Sequence, residues 1–374
     1  MDNQLQSPLH VLHVVSKMDR AGQETLIMNL YRNIDRLKVQ FDFLCCNFGK
    51  GDYDDEIQKL GGKIYHLTPN RYLKKVKHLA IIESIYRYAS FFRTHKEYDI
   101  VHFHNYHAYS CLVQVLGAKL GNVKNIIIHS HNTNAPHPLL HKISKKILNQ
   151  LSFIRFACSE DAARWMYGDK KAKIVLNGIN ASKFSFNAKQ RECTRKELGL
   201  NDTTTAILHI GRFNFQKNHI FLLDVFYEFH LSHPDSKLLL VGKGELENSI
   251  KEHISALNIK NCVDLLGVRD DIPSILRACD LFLFPSLFEG LSVVLVEAQA
   301  SGIPILTVKN LAKETIFSNN VKQQDLSKST KYWAKEIADT IKMGRNMDSS
   351  KLISEYGFDI RSIAEDLASF YTDL

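Results

Sequence analysis

Glu289 and Glu297 are separated by seven residues and follow the apolar run Leu281–Phe284. The run predicts a buried strand, and the residues after it predict a tight loop and a helix that begins near Ser292. Gly290 removes the side chain where the helix begins, so a ligand can approach the unpaired amides of the helix N-terminus. Such an end carries partial positive charge and therefore favours a bound phosphate.

The two carboxylates are placed to bind hydroxyl groups beside that phosphate. Glu297 lies seven positions after Gly290, about two helical turns along the same face. Glu289 then lies at the mouth of the loop, and both carboxylates can accept hydrogen bonds from sugar hydroxyls. This combination favours a sugar nucleotide as the ligand. The alternative is that the glutamates are solvated and the glycine only serves a turn.

A second strand, loop and helix are predicted between Ala206 and His219. Gly211 lets the chain turn as it leaves the sheet, and Asn218 is the predicted helix N-cap. Arg212 and Lys217 place two cations at the carboxyl end of a strand, where open α/β sheets bind ligands. Fixed cations stabilise the charge that builds on a diphosphate leaving group without requiring a metal. Alternatively, the two side chains are ordinary surface cations.

Strand-like and helix-like segments alternate along nearly the whole chain, which predicts parallel sheets with right-handed crossovers. The predicted strands are Leu9–Val15, Phe41–Cys46, Lys63–Leu67, Ile100–His104, Asn125–Ser130, Ile154–Cys158, Ala206–Gly211, Lys237–Val241, Val263–Leu266, Leu281–Phe284 and Pro304–Val308. We therefore predict an α/β protein with two Rossmann-like parallel-sheet domains that face each other across a cleft.

The chain has 374 residues, which is long for one domain and sufficient for two. We predict an N-terminal domain at residues 1–186 and a linker at 187–204, where the sequence is polar and has neither the helical nor the strand period. A second domain follows at 205–345, and terminal helices occupy 346–374.

Four histidines end two of the predicted strands, with His102 and His104 on one strand and His129 and His131 on the next. Because side chains alternate along a strand, each pair lies on one face. Histidines can bind zinc, but no cysteine or carboxylate is placed to complete a tetrahedral set, so we expect no metal. The alternative to a functional role is that each histidine is a buried structural residue.

In their order and spacing, these motifs resemble the retaining glycosyltransferases of family 4, which have the GT-B fold. The resemblance covers nearly the whole chain and is strongest to bacterial capsule, exopolysaccharide and wall-polymer enzymes. It includes Val14–Glu24, Asp99–Asn105, His129–Asn132, Asn177–Ile179, Gly211–Lys217 and the two spaced glutamates.

The resemblance implies transfer of a sugar from a nucleoside diphosphate donor, with a UDP-sugar favoured, to a glycan or lipid-linked acceptor. Arg212 and Lys217 would hold the diphosphate, and the amides around Gly290 and Leu291 would bind the phosphate. Glu297 would accept the ribose hydroxyls. No cofactor or metal is expected, because the nucleotide sugar is the substrate.

The resemblance also implies roles for residues nearer the transferred sugar. His131 corresponds to the family's active-site histidine near the sugar hydroxyls, and Glu289 would hold the same sugar. Gly22 corresponds to a glycine whose amide approaches the diphosphate, although the usual Gly-Gly is Ala21-Gly22 here. Front-face substitution would retain the anomeric configuration, and the terminal helix would cross back to the first domain.

Three other functions are alternatives to sugar transfer. A sugar-nucleotide epimerase on the same fold would need no acceptor. A non-catalytic partner subunit would not need the intact set of charged residues. A nucleic-acid binder is suggested only by the net charge of +8, and no fold element supports it.

The charge is concentrated in the first half of the chain. Residues 1–186 contain 26 lysines and arginines and 15 acidic residues, while the remainder contains 22 and 25. This asymmetry predicts contact with a polyanion, which for a glycan enzyme is the anionic cytoplasmic face of the membrane. Arg71–Lys96 and His141–Phe156 resemble basic interfacial helices. Alternatively, their apolar stripes pack into the core and their lysines are solvated.

The predicted location is the cytoplasm, with peripheral binding to the inner face of the cell membrane. No apolar run approaches the ~18 residues that span a bilayer, and no signal peptide is recognisable. The seven cysteines include no C-x-x-C pair. These features favour reduced thiols in the cytosol.

Overall fold

The computed structural model describes residues 7–67, 77–105, 107–133, 137–289 and 291–374. The chain divides into two compact units, with divisions between Gly178 and Ile179 and between Phe358 and Asp359. The first unit therefore contains both ends of the chain, and the second unit is continuous. These divisions differ from the predicted boundaries after residues 186 and 345.

The first unit is built on a parallel sheet. Its strands in the described residues are β1 (Leu9–Val15), β2 (Val39–Cys45), β3 (Ile64–His66), β4 (Ile100–Asn105), β5 (Asn125–Ser130), β6 (Ile154–Ala157) and β7 (Lys173–Ile174). Their spatial order is β3-β2-β1-β4-β5-β6-β7. Every residue of β2 and β4 is buried, as expected for a parallel sheet covered on both faces.

Helices connect these strands. They are α1 (Gly22–Asn33), α2 (Asp54–Lys59), α3 (Lys77–Thr94), α4 (Ala108–Leu120), α5 (Pro138–Leu148) and α6 (Glu160–Tyr167). The first part of the predicted basic stretch that begins at Arg71 lies outside the described residues. Among the described residues, no helix combines the length and the apolar character that crossing a bilayer requires.

The second unit repeats the pattern with a parallel sheet in the order β10-β9-β8-β11-β12-β13. Its strands are β8 (Thr205–Ile210), β9 (Ser236–Val241), β10 (Val263–Gly267), β11 (Leu281–Phe284), β12 (Ile305–Val308) and β13 (Val321–Gln324). Its helices are α7 (Ala188–Glu197), α8 (His219–Ser232), α9 (Glu247–Ala256), α10 (Ile272–Ala278), α11 (Val293–Ala300), α12 (Thr330–Ile341) and α13 (Ser349–Glu355).

Helix α7 occupies most of the stretch that was predicted as a linker, and it belongs to the second unit. It is held by arginines rather than by an apolar stripe. Arg191 lies 2.5 Å from Asp280 and also donates to the carbonyls of residues 277–279. Arg195 donates to Ala278 and to Asp280. Because polar contacts attach this helix, its sequence lacks the apolar period that predicts a packed helix.

The last helix, α14 (Ile360–Thr372), belongs to the first unit. It packs against α1, and its buried residues Ile360, Ala364, Leu367 and Tyr371 join the core around β1 and β2. The hydroxyl of Tyr371 lies 2.6 Å from Nδ1 of His102. The C-terminal end of the chain is thus part of the same core as its N-terminal strand.

Candidate functional site

The loop after β8 carries the predicted cations Arg212 and Lys217. The Gly211 amide donates to the carbonyl of Val241 at 2.9 Å, and a 3-10 turn spans Phe215–Lys217. A Cβ at Gly211 would lie 3.0 Å from Cγ and Cδ of Lys217. The glycine therefore leaves room for the lysine side chain to fold back over the end of the strand.

Lys217 and Glu289 form an ion pair that is largely shielded from water. Nζ of Lys217 lies 2.6 Å from Oε1 of Glu289, and the two side chains are 14% and 7% exposed. The ammonium also lies 4.5 Å from the centre of the Phe284 ring, within cation–π range. Removing one partner of such a pair leaves an uncompensated charge, which is costly. Two predicted site residues from different loops are therefore in direct contact.

Arg212 follows the same strand but makes a different contact. Its NH2 donates to Oε2 of Glu245 at 3.2 Å, and both side chains are mostly exposed. Glu245 lies in the loop between β9 and α9. Within the described residues, no hydrogen bond or ion pair joins Arg212 to Glu289. An exposed pair of this kind contributes little to stability, so the guanidinium is held only weakly.

Helix α11 begins at Val293 after Ser292, as predicted, and Glu297 lies on it. Gly290 lies outside the described residues, and the neighbouring Leu291 is buried. Within the described part of the chain, Ser292 makes no side-chain capping hydrogen bond to the first turn. Burial raises the pKa of Glu297 to about 8, and no charge among the described residues offsets this effect. Glu297 is thus a largely desolvated carboxyl without a cationic partner there.

Gln216 and Asn218, neither of which is a predicted site residue, join the loops after β8 and β11. The side-chain amide of Gln216 donates to the carbonyl of Phe288 at 2.9 Å, and the backbone carbonyl of Gln216 accepts from the amide of Leu287 at 2.9 Å. Asn218 occupies the N-cap position of α8, but its side chain caps no amide in the described residues and instead donates to the carbonyl of Pro285 at 3.2 Å. These contacts fix the two loops relative to each other.

Two glycines after β9 let the next loop approach closely. A Cβ at Gly242, whose φ is +140°, would lie 2.0 Å from the carbonyl oxygen of Gly211. A Cβ at Gly244 would lie 2.4 Å from the carbonyl oxygen of Phe213. The amide of Phe213 donates to the carbonyl of Lys243 at 3.0 Å. The G-x-G pattern of Gly242 and Gly244 after a strand is the sequence signal for this packing.

In the first unit, Gly22 is the first residue of α1. A Cβ there would meet no described atom within 4 Å, so the space beside this residue is open in the described part. Glu24 follows in the same turn and is 3% exposed. Burial raises the pKa of Glu24 to about 7, and its Oε2 has no hydrogen-bonding partner among the described residues. Glu24 was not among the predicted site residues.

Five histidine rings stack at the first sheet. They are His13 of β1, His102 and His104 of β4, His129 of β5, and His131, which follows β5. The ring centres of His102 and His104 are 4.3 Å apart, and those of His129 and His131 are 4.1 Å apart. Each predicted pair therefore shares a face. His13 was not among the predicted histidines, because it lies on a neighbouring strand but is distant in sequence.

Two family models and a similar protein of Bacillus subtilis match this chain. The family model "Glycosyltransferase Family 4" matches residues 20–183, and the model "Glycosyl transferases group 1" matches residues 190–357. The putative glycosyltransferase EpsF of Bacillus subtilis is 31% identical over 98% of this chain and 97% of its own. The chain belongs to glycosyltransferase family 4. The predicted family is therefore confirmed.

Two further comparisons concern more distant relatives of this glycosyltransferase. An Escherichia coli enzyme named UDP-Gal:alpha-D-GlcNAc-diphosphoundecaprenol alpha-1,3-galactosyltransferase is 26% identical over 80% of this chain and 79% of its own. The crystal structure of Anabaena HepE in complex with UDP and glucose superposes with a TM-score of 0.79 at 19% identity. The superposition covers 97% of this chain and 99% of the HepE chain. This similarity confirms the predicted GT-B fold.

Proposed function

We propose that this glycosyltransferase moves a hexose from a UDP-sugar to a glycan or lipid-linked acceptor, with retention of the anomeric configuration, in capsule, exopolysaccharide or wall-polymer synthesis. The observation that carries the proposal is the Lys217–Glu289 pair beside α11, at the carboxyl ends of β8 and β11. Ligands of open α/β sheets bind at these ends. The named activity of the Escherichia coli relative and the UDP in HepE support the choice of donor.

Lys217 would bind the diphosphate without releasing Glu289. A lysine ammonium has three donors, and Glu289 accepts one of them. The other two remain for phosphate oxygens, and the Phe284 ring, whose centre lies 4.5 Å from the ammonium, also stabilises the cation. Because the ammonium is largely shielded from water, its interaction with the charge that develops on the leaving diphosphate is stronger than at the surface.

Arg212 would add a second cation after a change of partner. Its pair with Glu245 is exposed, so exchanging that carboxylate for a diphosphate costs little. The amides around Gly290 and Leu291 and at the start of α11 would bind a phosphate through the partial positive charge of the helix N-terminus. Glu297 would accept the ribose hydroxyls.

Glu289 would hold the transferred sugar through Oε2, because Oε1 already accepts from Lys217. His131 would contact the hydroxyls of the same sugar, and the amide of Gly22 would contact the diphosphate. In a front-face substitution the leaving phosphate takes the proton of the acceptor hydroxyl, and no covalent nucleophile is required. The residues that stabilise the diphosphate are cations and amides, so we propose that turnover needs no metal and is insensitive to EDTA.

The first unit would bind the anionic membrane surface through α5. Leu139, Leu140, Ile143 and Ile147 are 71%, 40%, 53% and 48% exposed, while the buried residues of this helix are His141, Ser144 and Leu148. The apolar stripe thus faces solvent. Lys142 and Lys146 are exposed on the same helix. Exposed apolar residues interleaved with lysines suit an anionic bilayer surface and would place the enzyme at the cytoplasmic face of the membrane.

Lys145 differs from the other two lysines of this helix. It donates to the carbonyls of Arg164 and Trp165 at 2.9 and 2.6 Å. Its ammonium therefore caps the end of α6 rather than extending into solvent. The proposed membrane contact accordingly uses Lys142 and Lys146 and not Lys145.

Incubation of the purified chain with labelled UDP-sugars and lipid-extract acceptors tests this function. We expect transfer of one sugar, and proton NMR of the product should show the anomeric configuration of the donor. Conversion of the nucleotide sugar without an acceptor would instead identify an epimerase. Absence of both reactions across the donor panel would favour a non-catalytic partner subunit.

A further inference from the structure

Three of the stacked histidines are joined by hydrogen bonds into one chain. Nδ1 of His13 lies 2.9 Å from Nε2 of His104, and Nδ1 of His104 lies 2.8 Å from Nε2 of His131. His131 is partly exposed, whereas His13 and His104 are buried. These hydrogen bonds therefore connect the core of the first unit to His131, the histidine that we place at the sugar.

The three hydrogen-bonded histidines are neutral. Burial lowers the pKa of His13 and of His131 to about 3, and burial together with the neighbouring histidines lowers the pKa of His104 well below its ordinary value. A neutral imidazole has one N–H and one lone pair. Each of the two hydrogen bonds must therefore have one donor and one acceptor, and the tautomers of the three rings are coupled.

Only two neutral arrangements satisfy both hydrogen bonds. In the first, each ring carries its proton on Nδ1, so His13 donates to His104, His104 donates to His131, and His131 directs Nδ1–H outward. In the second, each ring carries its proton on Nε2, and His131 directs a lone pair outward. The two arrangements differ in the hydrogen-bonding group that His131 offers to a ligand.

The buried end of the chain distinguishes these arrangements. Nε2 of His13 has no hydrogen-bonding partner among the described residues, and the ring packs 4.1 Å from the centre of Phe41. The first arrangement leaves a lone pair at this atom, while the second leaves an N–H. Unpaired donors are rarer in protein interiors than unpaired acceptors. The first arrangement is therefore favoured.

We propose that His104 is a positioning residue which holds His131 in its Nδ1–H tautomer, so that His131 donates a hydrogen bond to a hydroxyl oxygen of the bound sugar. His13 forms the buried end of the hydrogen-bonded series. Its unpaired Nε2 sets the direction in which the rings donate to one another. This role rests on the proposed function, because it assumes that His131 contacts the sugar. It requires no charged histidine and no proton transfer.

The hydrogen bonds also account for the closeness of the ring nitrogens. Two sets of three histidines, His13 with His102 and His104, and His104 with His129 and His131, each have ring nitrogens within 4.8 Å of one another. A metal at either set would use a lone pair of His104. That ring has one lone pair, which the favoured arrangement commits to His13. Stoichiometric zinc in the purified protein, displaced by His104→Phe, would therefore contradict the proposal.

The direct test is the tautomer of His131 in the protein labelled with ¹⁵N-histidine. Two-bond proton–nitrogen correlation spectra distinguish Nδ1–H from Nε2–H, and His131→Ala identifies the signal. We expect Nδ1–H in the wild type. An Nε2–H signal overturns the proposal, and this result is obtained without any variant of His104.

Variants then separate positioning from packing. His104→Phe should remove the preference for Nδ1–H and lower kcat/KM about tenfold, the value of one hydrogen bond. His104→Asn retains an N–H donor, so it should keep most of the preference for Nδ1–H and most of kcat/KM. His129→Phe is the matched control, because His129 is buried and stacks on His131 but makes no side-chain hydrogen bond in the described residues. Equal effects of His104→Phe and His129→Phe would overturn the proposal.

Failure of the proposed function gives a different result. In that case the wild type transfers no sugar, although the tautomer of His131 is Nδ1–H. If only the contact of His131 with the sugar is wrong, His131→Ala retains full transfer activity. If the positioning role is wrong, His131→Ala still lowers transfer, but the tautomer is Nε2–H or does not respond to His104→Phe.

Discussion

Nζ of Lys217 lies 2.6 Å from Oε1 of Glu289, although the two residues are 72 positions apart in sequence. They follow β8 and β11, which are adjacent strands in the second sheet. Gln216 and Asn218 hold the two loops together through carbonyls of residues 285 and 288. The pair therefore depends on the adjacency of two strands that are not consecutive in the chain.

Neutralising Glu289 should lower kcat by more than the accompanying loss of folding stability explains. In Glu289→Gln the Lys217 ammonium loses its counter-charge, and the sugar loses a carboxylate acceptor. We expect kcat to fall roughly a hundredfold, as for other losses of preorganised electrostatic groups. Steady-state kinetics with the UDP-sugar measures the change.

Glu336→Gln is the matched control for this variant. Glu336 pairs with Lys322 at 2.6 Å and is 9% exposed, but it lies on α12. Its loss should destabilise the second unit to a similar degree while kcat changes less than threefold. A comparable loss of kcat in both variants would show that the effect comes from folding rather than from the site.

Glu297 should make the second unit less stable as the pH rises. Burial raises the pKa of Glu297 from its ordinary value of 4.5 to about 8, so the folded state binds this proton more tightly than the unfolded state. Stability therefore declines between about pH 4.5 and pH 8 and stays at the lower value above that range. Glu297→Gln removes the penalty and should stabilise the protein by up to about 3 kcal/mol at pH 7. Denaturant unfolding at pH 5 and pH 8 measures this, and a pH-independent difference would contradict the assignment.

Binding of UDP should release a proton from Glu297. Hydroxyl donors favour the ionised carboxylate, so the raised pKa of Glu297 falls when ribose binds. Calorimetric titration at pH 7 in buffers of different ionisation enthalpy should show about one more proton released by the wild type than by Glu297→Gln. Glu247→Gln, in an exposed pair with Lys251 on α9, is the control. Equal proton release in wild type and Glu297→Gln would exclude Glu297 as the ribose acceptor.

The apolar side chains of α5 should contribute to vesicle binding. Ile143→Ser with Ile147→Ser should weaken binding to phosphatidylglycerol vesicles at least tenfold, because each exposed isoleucine loses about 1.5 kcal/mol or more of burial. Lys142→Glu with Lys146→Glu should remove the salt-sensitive part of binding, about 1 kcal/mol per lysine. Leu231→Ser, at a 63% exposed leucine of α8, is the control. Sedimentation that does not change in the α5 variants would contradict the membrane proposal.

Gly242 should tolerate no side chain. In Gly242→Ala, Cβ would lie 2.0 Å from the Gly211 carbonyl oxygen at a φ of +140°, so the loop that carries Lys217 must move. We expect a loss of about 3 kcal/mol or more in unfolding free energy and a loss of UDP binding. Gly199→Ala is the control, because φ is +63° and no described atom lies within 4 Å of its Cβ. Equal effects of the two variants would indicate backbone strain alone.

The strands that were predicted correctly share one property, which is a continuous apolar run. β1, β5 and β11 have the predicted bounds, because their buried residues contrast with polar neighbours. All four residues of β13 (Val321–Gln324) are partly exposed, and two of them are glutamines. The strand therefore lacks the apolar run that would predict it. β7 is only two residues long. Edge strands of this kind can be identified only from the strand with which they pair. The sequence pattern alone does not show that partner.

The candidate site was predicted as a set of residue types rather than as contacts. Position after a parallel strand was enough to predict Lys217 and Glu289, because carboxyl ends of strands share an edge of the sheet. It did not predict that the two side chains pair with each other, or that Arg212 pairs with Glu245. Those partners depend on loop conformations that Gly242 and Gln216 determine through long-range packing.

The orientation of α5 was a similar case. A period of 3.6 residues predicts an amphipathic helix but not which face is buried. Here the aromatic contact of His141 with Trp165, at 4.1 Å between ring centres, is on the buried side, and the isoleucines are exposed. Tertiary contacts therefore reverse the usual arrangement.

Calorimetric titration of UDP into the wild type, Lys217→Ala and Lys237→Ala tests the central claim most directly. Lys237 also pairs with a carboxylate, Asp264 at 2.8 Å, but lies near the amino end of β9. We expect Lys217→Ala to weaken UDP binding at least tenfold and Lys237→Ala to leave it within twofold of the wild type, since one charge-assisted hydrogen bond contributes about 1.5–3 kcal/mol. Unchanged affinity in Lys217→Ala would contradict the assignment of the nucleotide site to the carboxyl ends of β8 and β11.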